Sequence, residues 1–112
     1  MTTASEQITE AVTAWPGVEA GIGARGEFGF RVGRREIGHL HGDRAAHFGF
    51  PRSVWDELIE QGRVVRHPID KPGWAARRIE GDDDVRDVIA LLRLNYDRVV
   101  ARHGLPDAAD RE

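Results

Sequence analysis

A β-hairpin is predicted by the sequence FGFRVGRREIGHLH, which runs from Phe28 to His41. Apolar residues alternate with other residues on both sides of Gly33-Arg34, and a two-residue turn with glycine first is typical of a type II′ hairpin. That turn length predicts a register in which Phe30 lies opposite Ile37. One face of the hairpin is therefore expected to carry Phe28, Phe30, Val32, Ile37, His39 and His41.

The other face of this hairpin is predicted to carry a notch without side chains. The same register places Gly29 opposite Gly38, and two facing glycines let a helix, another backbone or a ligand approach closely. One alternative function is therefore a non-enzymatic protein-interaction module. In that interpretation the notch face, or an exposed sheet edge, binds a protein partner or pairs two copies into a homodimer.

The remaining elements are predicted from apolar periodicity. Helical spacing predicts three helices, which begin near Thr3, Pro51 and Asp82. Alternation predicts three further strands, at 18–22, 64–69 and 74–79. Residues 44–50 are expected to form an irregular connection. The resulting order, α-β-β-β-α-β-β-α, indicates an α+β fold, an antiparallel sheet of about five strands with the helices on one face.

Length and composition predict one soluble, cytoplasmic domain. The 112 residues suffice for a single hydrophobic core, expected over residues 1–104, with a flexible tail over 105–112. No apolar run approaches the length of a membrane span, and no secretory signal pattern opens the chain. The formal net charge of −3 argues against a nucleic-acid partner. The absence of cysteine excludes disulfides, thiolate metal sites and cysteine nucleophiles.

Two histidines on one strand and one on the second predicted hairpin form the candidate site. Side chains alternate across a strand, so His39 and His41 project from the same face. His67 and Trp74 are expected to share a face of the second hairpin. If both faces border one cavity, three imidazoles and an indole meet there, a composition typical of small-molecule sites. The implied partner is a small-molecule ligand.

Candidate roles follow from the chemistry of these residue types. A neutral imidazole with a pKa of about 6.5 can accept a phenolic or enolic proton, which leaves a carbanion-like substrate able to react with oxygen directly. The candidate catalytic residues are His39, His41 and His67. The candidate ligand-binding residues are Phe28, Phe30, Glu36, Arg35 and Trp74. The structural alternative places His39 and His41 at the edge of the core, with ring nitrogens bonded to backbone, Glu36 or Asp43.

Short segments spread along nearly the whole chain carry a resemblance to a known family. They are Trp15-Pro16-Gly17, Glu36-Ile37-Gly38-His39-Leu40-His41, Pro51, Leu58-Ile59 with Gly62, His67-Pro68 with Gly73-Trp74, and Leu91-Leu92 with Tyr96. Together they resemble the luciferase domain family of bacteria and fungi, whose fungal luciferases oxidise a pyrone-type phenolic with molecular oxygen and no organic cofactor. The resemblance implies a pocket for an aromatic or conjugated small molecule, with matching positions at His39, His41, His67 and Trp74.

No cofactor is predicted, and a metal site is the competing interpretation. Gly33, followed after five residues by His39-Leu40-His41, matches the start of a cupin-like motif. With His67 as third ligand, the set His39, His41 and His67 would suit zinc or iron. Two departures weigh against this interpretation. The glutamate expected after the pair is absent, with Ala45 and Ala46 near its place, and the following segment is not predicted to continue as strands.

Overall fold

The computed structural model describes residues 2–23 and 25–106. It consists of three helices and a six-stranded antiparallel sheet with the strand order β1-β2-β3-β4-β6-β5. The α+β prediction is confirmed, with one strand more than expected. The elements, in chain order, are α1 (Ala4–Thr13), β1 (Val18–Ile22), β2 (Phe28–Val32), β3 (Arg35–His41), β4 (Ala45–Gly49), α2 (Arg52–Glu60), β5 (Val65–Arg66), β6 (Trp74–Arg78) and α3 (Asp82–His103).

The additional strand, β4, corrects the prediction of an irregular connection over 44–50. It pairs with both β3 and β6, and it thereby joins the two predicted hairpins into one sheet. Ala46 and Phe48 are buried, and Phe50 beyond the strand is buried as well. This alternation is the ordinary signal of a strand. It was weak because Ala45, which precedes the first buried residue, and Gly49, which lies between Phe48 and Phe50, have low strand propensity.

The core lies between the sheet and the three helices. Its helical part includes Ile8, Val12, Trp55, Leu58, Val88, Leu91 and Leu92, and its sheet part includes Phe30, Ile37, Leu40, Ala46 and Phe48. The opposite face of the sheet carries His39, His47 and Ala76, which are direct neighbours in the register of β3, β4 and β6. None of the helices in the described residues is both long and apolar enough to cross a membrane.

A β-bulge changes the predicted register of β2 and β3. Val32 pairs with Arg35 as predicted, but beyond the bulge Phe30 lies opposite Gly38 and Phe28 lies opposite Leu40. Phe28 and Phe30 therefore do not share a face with His39 and His41, and that prediction is wrong. The bulge inserts one residue into β3, and this changes which side chains of the strand point to the core. Ile37 and Leu40, which a regular strand would point to opposite faces, are both buried.

The predicted Gly29–Gly38 notch is absent for the same reason. Gly29 lies opposite His39, whereas Gly38 lies opposite Phe30 on the side of the helices. A Cβ at Gly38 would lie 2.5 Å from Leu92 Cδ2, so the missing side chain lets α3 pack closely on β3. The protein-interaction alternative therefore loses the notch, one of its two candidate surfaces, and keeps only an exposed sheet edge.

One buried polar side chain fixes the bulge to the rest of the sheet. Asn95 of α3 is 1% exposed, and its Nδ2 donates hydrogen bonds to the carbonyl oxygens of Ile37, at 3.1 Å, and Gly49, at 3.0 Å. Its Oδ1 accepts a hydrogen bond from Arg98. All the polar atoms of this side chain are thus satisfied, as burial requires.

The other predicted helix and strand ends agree with the structure except in the second hairpin. The predicted capping box at Thr3 and Glu6 is present, and α3 ends at Gly104. The prediction that strand 64–69 pairs with 74–79 holds only for Val65–Arg66, because Pro68 cannot donate to the ladder. Of the tail predicted over 105–112, residues 107–112 lie outside the described residues.

Candidate functional site

Four histidines lie side by side on the sheet face opposite the helices. His39 and His41 come from β3, His47 comes from β4 directly opposite His39, and His67 follows β5. Ring centroids are 5.3 Å apart for His39 and His47, 4.2 Å for His41 and His47, and 4.3 Å for His47 and His67. We call these four residues the histidine cluster. Pairing of β3 with β4 fixes the positions of His39, His41 and His47, and the backbone N–H of His67 donates to the carbonyl oxygen of Trp74 in β6.

The histidine cluster borders a groove of about 610 Å³. Its apolar side is formed by Ile69 and Trp74, which are 49% and 38% exposed, and Lys71 Nζ lies 4.9 Å from the Trp74 ring centre. The lining residues are Arg25, Glu27, Glu36, His39, His41, His47, Phe48, Gly49, His67, Ile69 and Trp74. We call this the histidine groove. Exposed apolar side chains beside several polar groups are the usual composition of a ligand site.

The structure brings together some of the predicted site residues and separates others. Those that line the histidine groove are His39, His41, His67, Glu36 and Trp74. Those that do not line it are Phe28 and Phe30, which lie on the helix side of the sheet, and Arg35, which borders a separate cleft beside α3.

Several lining residues, including His47 of β4 and Arg25 of the β1–β2 turn, were not among the predicted site residues. His47 was missed with β4, although the alternation of apolar residues around it is a signal that could have revealed it. Arg25 lies in the turn between β1 and β2, and nothing in its local sequence indicates that it borders the histidine groove.

The Glu36–His39 pair fixes the protonation of one imidazole. Glu36 Oε2 lies 3.0 Å from His39 Nδ1. Because an ionised carboxylate only accepts hydrogen bonds, Nδ1 carries the proton. Neutral His39 therefore keeps a free lone pair on Nε2, which can accept a proton or bind a metal ion.

A backbone amide fixes the protonation of a second imidazole in the opposite sense. The N–H of Ile69 donates to His67 Nδ1 at 2.9 Å, so neutral His67 carries its proton on Nε2. His67 Nε2 lies 3.0 Å from His47 Nδ1 and donates to it. Neutral His47 therefore carries its own proton on Nε2. We call the sequence Ile69, His67, His47 the tautomer relay.

The two free Nε2 atoms differ in character and are both accessible. Neither His39 Nε2 nor His47 Nε2 has a hydrogen-bond partner among the described residues, and neither is a buried unsatisfied atom. His39 thus offers an acceptor and His47 a donor on directly opposed strand positions. An acid–base pair of this kind suits a ligand that loses a proton from one oxygen atom while another oxygen gains charge.

Burial keeps His47 neutral. Desolvation, with the positive charges that His41, His67 and His39 carry when protonated, lowers the pKa of His47 from 6.5 to about 4. Desolvation is also the main cause that lowers the pKa of His67. The tautomer relay is consequently made of uncharged rings near neutral pH, which is the state that the hydrogen-bond directions above require.

We expect His47 to remain neutral and protonated on Nε2 from about pH 7.5 down to about pH 5, because its folded pKa is about 4. Long-range ¹⁵N–¹H NMR correlation of the imidazole rings measures this directly. The unfolded chain protonates His47 near its ordinary pKa, so the free energy of unfolding is expected to fall as pH drops through this window. A His47→Gln variant should lose that part of the pH dependence. A charged His47 at pH 6 would contradict the relay.

Three members of the histidine cluster could also hold a metal ion. Each of His39, His41 and His47 offers a ligand atom, and these atoms lie within 4.8 Å of one another. The predicted ligand set had His67 in the place of His47. The strand β4 removes one objection to the cupin-like interpretation, since the segment after the histidine pair does continue as a strand. The tautomer relay opposes it, because His47 Nε2 carries a proton while His67 donates to Nδ1.

Comparison with known proteins gives one match. The family model described as the luciferase domain matches residues 34–95, from the turn before β3 into the middle of α3. No curated protein and no solved structure matches the chain. The matched segment contains the histidine cluster, Glu36 and Trp74. Because the match extends over more than half of the sequence, the chain belongs to the luciferase domain family.

Proposed function

We propose that the protein binds a phenolic or enolic small molecule in the histidine groove and removes a proton from it. The observation that carries this proposal is the opposite hydrogen-bonding character of His39 and His47, an acceptor held by a carboxylate and a donor held by the tautomer relay. A conjugated enol has a matching pair of groups, since its hydroxyl donates and its carbonyl accepts.

Six of the lining residues have a role in this proposal. His39 is the general base, and Glu36 orients its ring and stabilises the imidazolium that forms. His47 donates a hydrogen bond to the ligand oxygen on which negative charge develops. Trp74 and Ile69 form the apolar wall against which a flat ring packs. His67 is a positioning residue, because it acts on the ligand through His47.

Reaction with oxygen is the further step that the family resemblance suggests. The deprotonated ligand is an electron-rich carbanion, and molecular oxygen is the oxidant. A carbon–oxygen bond forms as the carbanion gives two electrons to O₂, and the proton held by His39 passes to the outer peroxide oxygen. The product is an organic hydroperoxide. All atoms and electrons of this step come from the ligand, O₂ and the His39 proton.

A phenol whose anion is coloured tests the proton transfer without knowledge of the natural substrate. We expect the protein to bind p-nitrophenol and to increase its ionised fraction, measured by visible absorbance in titrations at pH below the pKa of the free phenol. Since a hydrogen bond to a charged group contributes about 1.5–3 kcal/mol, His39→Gln should weaken binding of the anion roughly 10- to 100-fold.

The matched control is His103→Gln, the same substitution on α3 outside the histidine groove, which should bind like the unaltered protein. Equal ionisation of bound phenol by His39→Gln and the unaltered protein would contradict the assignment of His39 as base. Oxygen uptake with a 4-hydroxy-2-pyrone, measured with an oxygen electrode, separates proton removal alone from the complete oxidation.

Metal binding is the second candidate function, and the geometry of His39, His41 and His47 favours it. The variant His67→Ala distinguishes the two. Without His67 the Nδ1 of His47 can carry the proton, so its Nε2 is free to bind a metal ion. Under the proposal, His67→Ala lowers the affinity for the phenolate and raises the affinity for Zn²⁺ above that of the unaltered protein. The metal function would be favoured if the unaltered protein binds Zn²⁺ tightly and His67→Ala does not increase that affinity.

A further inference from the structure

A second cluster of charge lies outside the histidine groove. Arg34 in the turn between β2 and β3 and Arg35 at the start of β3 lie near Arg98 and Arg102, which are one helical turn apart in the last two turns of α3. They border a cleft of about 510 Å³. The remaining lining residues are Glu36, Val99 and His103. We call this the arginine cleft. No local sequence pattern indicates this cluster, because its two pairs of arginines are more than sixty positions apart.

The guanidinium groups of the arginine cleft lack carboxylate partners within the described residues. The arginine–carboxylate ion pairs of those residues involve other arginines, namely Arg52, Arg66, Arg77, Arg86 and Arg93. In the cleft, Arg98 donates only to the amide oxygen of Asn95. Glu36 borders the cleft, but its Oε2 is bonded to His39. Four positive charges thus border a single carboxylate, one oxygen atom of which is bonded to His39.

The helix dipole of α3 accounts for only part of the arginine cleft. Cations at the C-terminus of a helix are favoured by the helix dipole, which explains Arg102 and His103 on their own. It does not explain why Arg34 and Arg35 come from another element to the same place. Desolvation and the charges of Arg35 and Arg102 lower the pKa of His103, which is the response expected of a positive environment.

We propose that the arginine cleft binds the phosphate or diphosphate group of a small molecule. Guanidinium groups bind phosphate oxygens through paired hydrogen bonds, and arginines on two elements can contact several oxygens at once. With Glu36 included, the cleft has a formal excess of three positive charges. A phosphate monoester carries about −1.5 to −2 charge near neutral pH, and a diphosphate carries more, so such a group neutralises the excess that a single carboxylate leaves.

The site is independent of the proposed function, although the two share a border. Glu36 lines both the arginine cleft and the histidine groove. A phosphate in the cleft would therefore lie near the carboxylate that holds His39. Binding of phosphate in the arginine cleft requires no reaction in the histidine groove, because none of the four arginines lines that groove.

Isothermal titration with inorganic pyrophosphate, at constant ionic strength adjusted with sodium chloride, tests the proposal. The unaltered protein is expected to bind one equivalent saturably. The double variant Arg35→Gln/Arg102→Gln should weaken binding roughly tenfold or more, because it removes two charge-assisted contacts. Arg34→Gln changes only an exposed turn residue, and it should weaken binding in a chain whose core is untouched.

The matched control is Arg52→Gln/Arg86→Gln, which removes the same net charge from exposed arginines elsewhere. It should bind pyrophosphate like the unaltered protein. Circular dichroism of every variant verifies folding. The proposal is overturned if the unaltered protein shows no saturable binding, or if the control pair weakens binding as much as the cleft pair, since net charge alone would then account for the effect.

Discussion

Replacement of Asn95 by leucine is expected to lower the free energy of unfolding by about 2–5 kcal/mol, although leucine is of similar size and more apolar. The carbonyl oxygens of Ile37 and Gly49 lose their Asn95 donors, and an unsatisfied buried polar group costs about 1–3 kcal/mol. Arg98 loses an acceptor as well. Urea unfolding followed by tryptophan fluorescence measures the change.

The surface substitution Gln61→Leu is the control for this experiment. Gln61 is exposed, and it is a polar residue exchanged for leucine without the loss of a buried hydrogen bond. It should alter stability by less than about 0.5 kcal/mol. If Asn95→Leu were as stable as the control, the bulge at Ile37 would not depend on α3. In that case the position of His39, two residues further along β3, would need another explanation.

Replacement of Gly73 by alanine is expected to lower the free energy of unfolding by about 2–4 kcal/mol. Gly73 has φ of 90°, a conformation that costs an L residue about 1–2 kcal/mol. In addition, a Cβ there would lie 2.7 Å from the carbonyl oxygen of Phe50, which is backbone and cannot rotate away. Thermal and urea unfolding measure the loss of stability.

Gly62→Ala separates the two contributions. Gly62 has φ of 73°, but a Cβ there would have no atom within 4 Å. This variant should therefore lose only the conformational part, roughly 1 kcal/mol, and should bind p-nitrophenol normally. Gly73→Ala should also weaken that binding, because the residue precedes Trp74 in the wall of the histidine groove. If Gly73→Ala and Gly62→Ala were equally destabilising, the close contact between the new Cβ at position 73 and the carbonyl oxygen of Phe50 would add no free-energy cost.

Much of the fold was predictable because local patterns and the tertiary structure agree. The helix boundaries at Thr3 and Gly104 follow from capping and glycine chemistry, which act over a few residues. The placement of His39 beside His41 follows from strand geometry alone. The family resemblance was likewise found from short segments, and the match over residues 34–95 confirms it.

The parts that were not predictable depend on contacts distant in sequence. The bulge lets Ile37 and Leu40 both be buried in the core between the sheet and the helices, which no pattern within β3 reveals. The tautomer relay needs β4 to bring His47 against His67, twenty residues later. Local sequence thus indicated which residues carry the chemistry. It did not indicate which nitrogen of each ring bears a proton, because that depends on hydrogen bonds made only in the folded chain.

The start of the tautomer relay has an implication for how this surface tolerates change during evolution. The first donor is the main-chain amide of Ile69, a group that every amino acid except proline supplies. The side chain at this position can therefore drift among many types without reversing the polarity of the neighbouring rings. Proline alone would remove this donor, so the relay constrains position 69 only through its backbone, whereas the apolar wall of the histidine groove constrains its side chain.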